Sequence, residues 1–245
     1  MIHNIVLISV KDAKKVWQRL RNLAIVPIGS IDKTILLCYN GYTMNIFYLD
    51  NDPRICAQMH CDKHVVKMIL EYAQLLSTAH RVLDGTLSTG LSKTGRKQTR
   101  YVLPDDRESK LYVATHLNHP SAIWCRQSYA NYVWLSKLLT ELCHEYTYRY
   151  GKVHKVQASG LEEELMYPPM NIPAHAPFTE PTPAMPDDVK VPGNSIQSYH
   201  NYYYTNKKHL WSWKGKLNSR DRPKWLSEMA MQKLHDLNEE LGLTY

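Results

Sequence analysis

The stretch Cys56–His80, CAQMHCDKHVVKMILEYAQLLSTAH, decides how the rest of the chain is read. Val65, Val66, Met68, Ile69, Leu70, Ala73, Leu75, Leu76 and Ala79 make it apolar enough to be buried as one long helix, running to about Val82. His60, His64, Lys67, Glu71, Gln74 and Thr78 recur at intervals of four, three, four, three and four. At helical periodicity they fall in one stripe. A polar stripe on so apolar a helix predicts a wet cleft lined by imidazole, ammonium and carboxylate. Desolvation and mutual charge shift pKa values in such a place.

Outward from that helix, 245 residues with 44% hydrophobic content suit one large domain, or one domain with an appendage. The formal charge is +7. Seventeen Tyr and six Trp stand against two Phe, so most aromatic faces carry a polar edge. Flat stacking faces among surplus Lys and Arg suit nucleic acid as a partner. The five cysteines are odd in number and form no CxxC pair, which predicts free thiols in a reducing compartment. HNIVLISV runs into KDAKK without a signal-peptide cleavage site, and no apolar run is long enough to span a bilayer. A soluble protein of the bacterial or infected-cell cytoplasm is expected, with no membrane association.

Along the chain, 1–43 reads as strand, helix and strand (His3–Val10, Lys11–Ala24, Lys33–Tyr39) closed by an Asn40-Gly41 turn. It is either an upstream extension or an added β-α-β-like unit, because Met44 could itself begin a protein. Residues 44–245 read as a mostly α domain built on two long helices. Asn45–Leu49 is a short strand, and Asp50 to Pro53 is turn chemistry with an Asp or Asn available to cap the first long helix. Residues 84–116 read as a mobile basic loop carrying Lys93, Arg96, Lys97 and Arg100, suited to tracking phosphates. His119-Pro120 opens the second long helix, which ends at Gly151. Residues 152–194, with YPPMNIPAHAPFTEPTPAMPDD, form an extended wrapping segment that proline keeps from being regular helix. A third helix from Ser195 mixes Tyr202, Tyr203, Tyr204, Trp211 and Trp213 with Lys207 and Lys208, and a last amphipathic helix covers Lys224–Leu241.

The chemistry concentrates on the first long helix. His60 and His64 have helical zinc spacing, with Glu71, Cys56 or Cys61 as a third donor, but no second ligand cluster follows. No metal or other cofactor is therefore expected. No Walker, GxGxxG or GxSxG motif is present. Asp62, His64, Lys67 and Glu71 make the stronger group. A carboxylate near an amine and an imidazole can hold a proton or stabilise a developing cation, as glycosidic and imine chemistry require.

Asp62-Lys63-His64 followed by Glu71 resembles the first helix of the phage-type endonuclease V family, pyrimidine-dimer DNA glycosylases. The helix from His119 and the aromatic, basic, Pro-Lys-Trp-containing tail resemble later parts of that family. The resemblance covers about half the chain, in pieces. It implies a mostly helical domain and a damaged, double-stranded DNA substrate. A protein amine would attack C1′, form an imine and cut the strand by β-elimination. It assigns the catalytic carboxylate to Glu71 and the adjacent histidine to His64, and places phosphate contacts at Arg126 and Lys137. The family's nucleophile is an N-terminal amine on a small residue, whereas Ile2 follows Met1 here and Asn45 follows Met44. The amine is then that of Met44, or a lysine such as Lys67, or the chemistry differs. Two other classes stay open: a base-modifying transferase using the same cleft, and a non-enzymatic nucleic-acid-binding or inhibitory protein.

Overall fold

The computed structural model describes residues 44–91 and 94–241. The elements expected within 1–43, and Lys93, lie outside the described residues, and the chain divides into units between Thr43 and Met44. Helices dominate what is described: α1 Pro53–Met59, α2 Asp62–Asp84, α3 Arg107–Lys110, α4 Pro120–Gln127, α5 Tyr129–Tyr150, α6 Lys155–Ala158, α7 Leu161–Glu164, α8 Ser195–Asn206 and α9 Lys224–Glu240. Strands β1 Thr86–Leu91 and β2 Lys97–Val102 form an antiparallel pair.

Both expected long helices are broken once. Asp52 caps α1, accepting from the Arg54 and Ile55 N–H groups at 2.7 and 3.3 Å. The chain then turns extended at His60 and Cys61 before α2 begins. The carbonyls freed by this break are taken by the buried Arg149 guanidinium, which donates to Gln58 O and His60 O, each at 2.9 Å. The second break is at Ser128, whose hydroxyl accepts from Asn131 N at 3.0 Å and caps α5. The break leaves α4 and α5 as separate pieces against α2, with α1 packed on α5. Gly151, in the left-handed conformation, ends α5 as expected.

The segment Met44–Leu49 is buried but forms no strand, so the expected strand at Asn45–Leu49 is corrected. Buried backbone groups must still find partners, and here side chains supply them. Tyr72 Oη accepts from Phe47 N at 3.1 Å, and Cys56 Sγ accepts from Leu49 N and donates to Phe47 O. Ser121 Oγ donates to Met44 O at 3.1 Å, and His200 Nε2 meets Leu49 O at 2.9 Å. Phe47 sits among the rings of His60, His64, Tyr199, Tyr202 and Tyr203. Much of the tyrosine surplus is therefore core.

The expected basic loop at 84–116 is instead the exposed β1–β2 ribbon followed by α3. Residues 152–194 are corrected in part: before the first proline the segment forms the short helices α6 and α7, and only the proline-bearing remainder runs along the body without regular α-helix. Trp124 Nε1 donates to Thr179 O at 2.9 Å, and Asp84 takes the Met170 and Asn171 N–H groups at 3.0 Å each. The third helix stops at Asn206, short of the Trp211 and Trp213 expected within it, and Asn194 rather than Ser195 caps it.

Candidate active site

The polar stripe of α2 and the residues leading into it does not face one cleft; it divides by depth. His60 is wholly enclosed, with Nδ1 on Cys56 O at 2.7 Å and Nε2 toward Tyr72 Oη at 3.4 Å. Burial holds its pKa down at about 4. His64 stacks on Phe47 with centroids 4.3 Å apart, and its Nδ1 meets Tyr203 Oη. Desolvation first, then the neighbouring His60 and the positive charge of Lys207 and Lys67, keeps its pKa well below 6.5. Both rings are neutral and fixed by partners. Thr78 pairs with the Thr115 backbone, accepting from its N–H at 3.2 Å.

Glu71 and Lys67 differ from these. Glu71 is buried, and Lys67 is 49% exposed, with its Nζ 2.8 Å from Glu71 Oε1. Among the described residues Glu71 Oε2 has no hydrogen-bond partner, although it is shielded from solvent. Desolvation raises the Glu71 pKa, opposed by Lys67, His116 and the Asn45 backbone N–H. The arrangement is a carboxylate with proton affinity above the ordinary range, touching a primary amine that reaches solvent. His116 beside it takes a positive φ of 50°, a conformation uncommon outside glycine and worth noting at a site.

Asp62, grouped with Glu71 by spacing, does a different job. Its carboxylate accepts from Arg149 at 2.9 Å, Ser212 Oγ at 2.6 Å and Lys214 N at 3.0 Å. Arg149 also binds Glu145 at 2.6 Å, and Glu145 binds Arg220 at 2.9 Å. This network ties α1, α2, α5 and the 212–220 segment together. A cavity of about 310 Å³ lies beside it, among Arg54, Glu141, His144 and Arg220, and includes no residue of the stripe except through this network.

The proposed nucleic-acid contacts are scattered. Lys137 is exposed on α5, and Lys97 and Arg100 are exposed on the ribbon with Arg96 in its turn. Arg126 is partly buried, with one guanidinium nitrogen on Leu117 O at 2.8 Å and the other enclosed without a partner. Lys207 lies 4.7 Å over Tyr202, Lys208 5.9 Å over Trp211, and Arg222 5.2 Å over the same indole. Trp213 is corrected as a stacking residue: it is buried, and its indole donates to Met59 O at 2.9 Å. Sequence reasoning missed Tyr203 and Asn45. Tyr203 is 139 positions from His64, so no local pattern links them.

Among the described residues, no group of three or more His, Cys, Asp or Glu side chains is placed to hold a metal ion. Cys56, Cys61, Cys125 and Cys143 are free and buried. Among the described residues no helix is long and apolar enough to cross a membrane. No protein-family model matches the chain, and no curated protein or solved structure matches it either.

Proposed function

We propose that this chain is a DNA-processing enzyme that acts at the glycosidic bond of a damaged or modified base, with glycosylase and lyase steps. The observation that carries the proposal is the pair formed by buried Glu71, with one unpartnered oxygen, and the accessible Lys67 amine 2.8 Å away. A carboxylate of raised proton affinity can take the proton that an ammonium must lose before it attacks. The Lys67 nitrogen then bonds to C1′ as the bond from C1′ to the base breaks, and the base leaves with the electron pair and takes up the proton that the new secondary nitrogen sheds. Glu71 returns its proton to the sugar ring oxygen, the nitrogen lone pair opens the ring and a protonated imine remains. The Glu71 carboxylate takes a C2′ proton, and the 3′ phosphate is expelled. The resemblance to phage-type endonuclease V at Asp62, His64 and Glu71 supports the same reaction class. The cationic, aromatic surface of Lys207, Lys208, Trp211 and Arg222 supports a nucleic-acid substrate.

The test is incubation with ultraviolet-irradiated and undamaged duplexes, with and without chelator, followed by borohydride trapping. Strand cleavage and a trapped adduct, both lost in Glu71→Gln and Lys67→Ala, are expected. An adduct that persists in Lys67→Ala removes the lysine from the role and leaves an amine at Met44, whose neighbour Asn45 turns its N–H toward Glu71. A mass gain on the DNA without cleavage moves the chain to the base-modifying transferases.

A further inference from the structure

The β1–β2 ribbon resists explanation by packing. Two-stranded hairpins are marginal in water unless a face is covered. Here six residue pairs run from Thr86↔Val102 to Leu91↔Lys97, and β1 is exposed along its whole length. Leu87 and Leu91 are 64% and 76% exposed. The ribbon's root, by contrast, is held firmly. Arg81, fully buried on α2, donates to Tyr101 O at 3.1 Å, Glu108 O at 3.0 Å and Leu111 O at 2.8 Å, and pairs with the Glu108 carboxylate at 2.5 Å. Glu108 also accepts from Leu103 N at 2.9 Å. Gly85 closes the junction, since a Cβ there would meet Arg81 O at 2.5 Å and Val102 O at 3.0 Å. The molecule fixes the direction of a ribbon whose β1 strand and first four β2 residues are exposed.

The two faces of the ribbon differ. Strand alternation places Leu87, Thr89 and Leu91 with Tyr101, Thr99 and Lys97 on one side. The other side carries Ser88 opposite Arg100 and Gly90 opposite Gln98. A Cβ built on Gly90 meets nothing within 4 Å, so the glycine leaves open space beside Gln98. Arg100 is half exposed and only loosely held, 3.9 Å from Glu108. From 85 to 104 the chain has no acidic residue.

We infer that the β1–β2 ribbon lies in the major groove of duplex DNA, with Arg100 and Gln98 reading base edges. The inference rests on the proposal that DNA is the substrate. A two-stranded ribbon fits a groove about 12 Å wide. Arg makes paired hydrogen bonds to guanine and Gln to adenine, and residues two apart on one strand face stand ~7 Å apart, about two base-pair steps. Lys97, on the other side, suits the phosphates. Arg81 is ten residues beyond Glu71, ~15 Å along α2, so one duplex can span the ribbon root and the carboxylate. Charge favours DNA over a protein docking on the Leu87–Leu91 face.

The experiment selects bound sequences from a duplex pool randomised over one helical turn and measures affinity against salt. The intact chain is expected to enrich guanine and adenine at positions about two base pairs apart. Arg100→Lys keeps the charge but loses the paired geometry, so the guanine preference falls roughly tenfold while the salt slope stays. Gln98→Ala removes the adenine preference. Lys97→Ala leaves both and lowers the salt slope by about one. Binding without enrichment, or preferences unchanged in Arg100→Lys and Gln98→Ala, overturns the inference, as a ribbon that docks protein would give. Selective binding without any cleavage leaves the ribbon assignment standing and overturns the glycosylase proposal instead.

Discussion

Half-buried Asp62 and buried Glu71 on helix α2 are carboxylates of opposite character. At its first turn, Asp62 joins Arg149, Glu145 and Arg220 in a network where each carboxylate meets a guanidinium and Asp62 also meets backbone N–H groups. Nine residues on, Glu71 has a lysine on one oxygen and no partner for the other. An enclosed carboxylate oxygen without a donor costs stability. The first cluster is finished and holds elements together. The second is unfinished, beside an amine that solvent can reach. The difference separates architecture from chemistry better than residue type does, because both clusters pair acids with bases on the same helix.

The comparison can be broken most directly at Arg149. Arg149→Met strands Asp62, Glu145 and the carbonyls of Gln58 and His60. It should lower unfolding free energy by about 3–5 kcal/mol, read from urea midpoints, with cleavage lost only as the fold is lost. Glu71→Gln should do the reverse. Cleavage should fall by about 10²–10⁴ while stability at neutral pH holds or rises slightly. The sign follows from the raised pKa of Glu71: its contribution to stability is full below the unfolded value and is lost as pH rises through the folded one. A large loss of stability in Glu71→Gln would put Glu71 with the architectural cluster.

Acid should act next in size. His60 and His80 are held near pKa 4 by burial, against 6.5 when unfolded. Their contribution is full above about pH 6.5 and is lost as pH falls toward 4, because the unfolded chain takes up the protons. The loss is on the order of 3 kcal/mol for each, measurable as a fall in urea midpoint from pH 7.5 to 4.5. The smallest effect is expected from Tyr203→Phe, which leaves His64 Nδ1 without its hydroxyl. A cost of about 1–2 kcal/mol, with little change in cleavage rate, would mark His64 as a fixed wall of the site; a large rate loss would make it a participant.

Much of this was legible from local pattern. The helical class, the Gly151 end, the Asp52 cap and the proline-bound wrap all follow from short-range preferences. The apparent strand at Asn45–Leu49 has strand composition, yet its partners are Tyr72, Cys56, Ser121 and His200 side chains instead of another strand. Alternation reports burial and extension, and says nothing about what completes the hydrogen bonds. Trp213 looked like a stacking residue because composition marks aromatics without marking depth.

The sequence by itself determined the stripe of His60, His64, Lys67 and Glu71 on or beside one helix, since helical periodicity depends only on spacing. Only the tertiary structure sorted that stripe. It enclosed the two imidazoles among Phe47, Tyr72 and Tyr203, gave Asp62 to Arg149, and left Lys67 at the surface against an incompletely paired Glu71. Spacing fixes which side chains share a face. Which are neutralised, satisfied or left reactive depends on groups that arrive from tens to more than a hundred residues away.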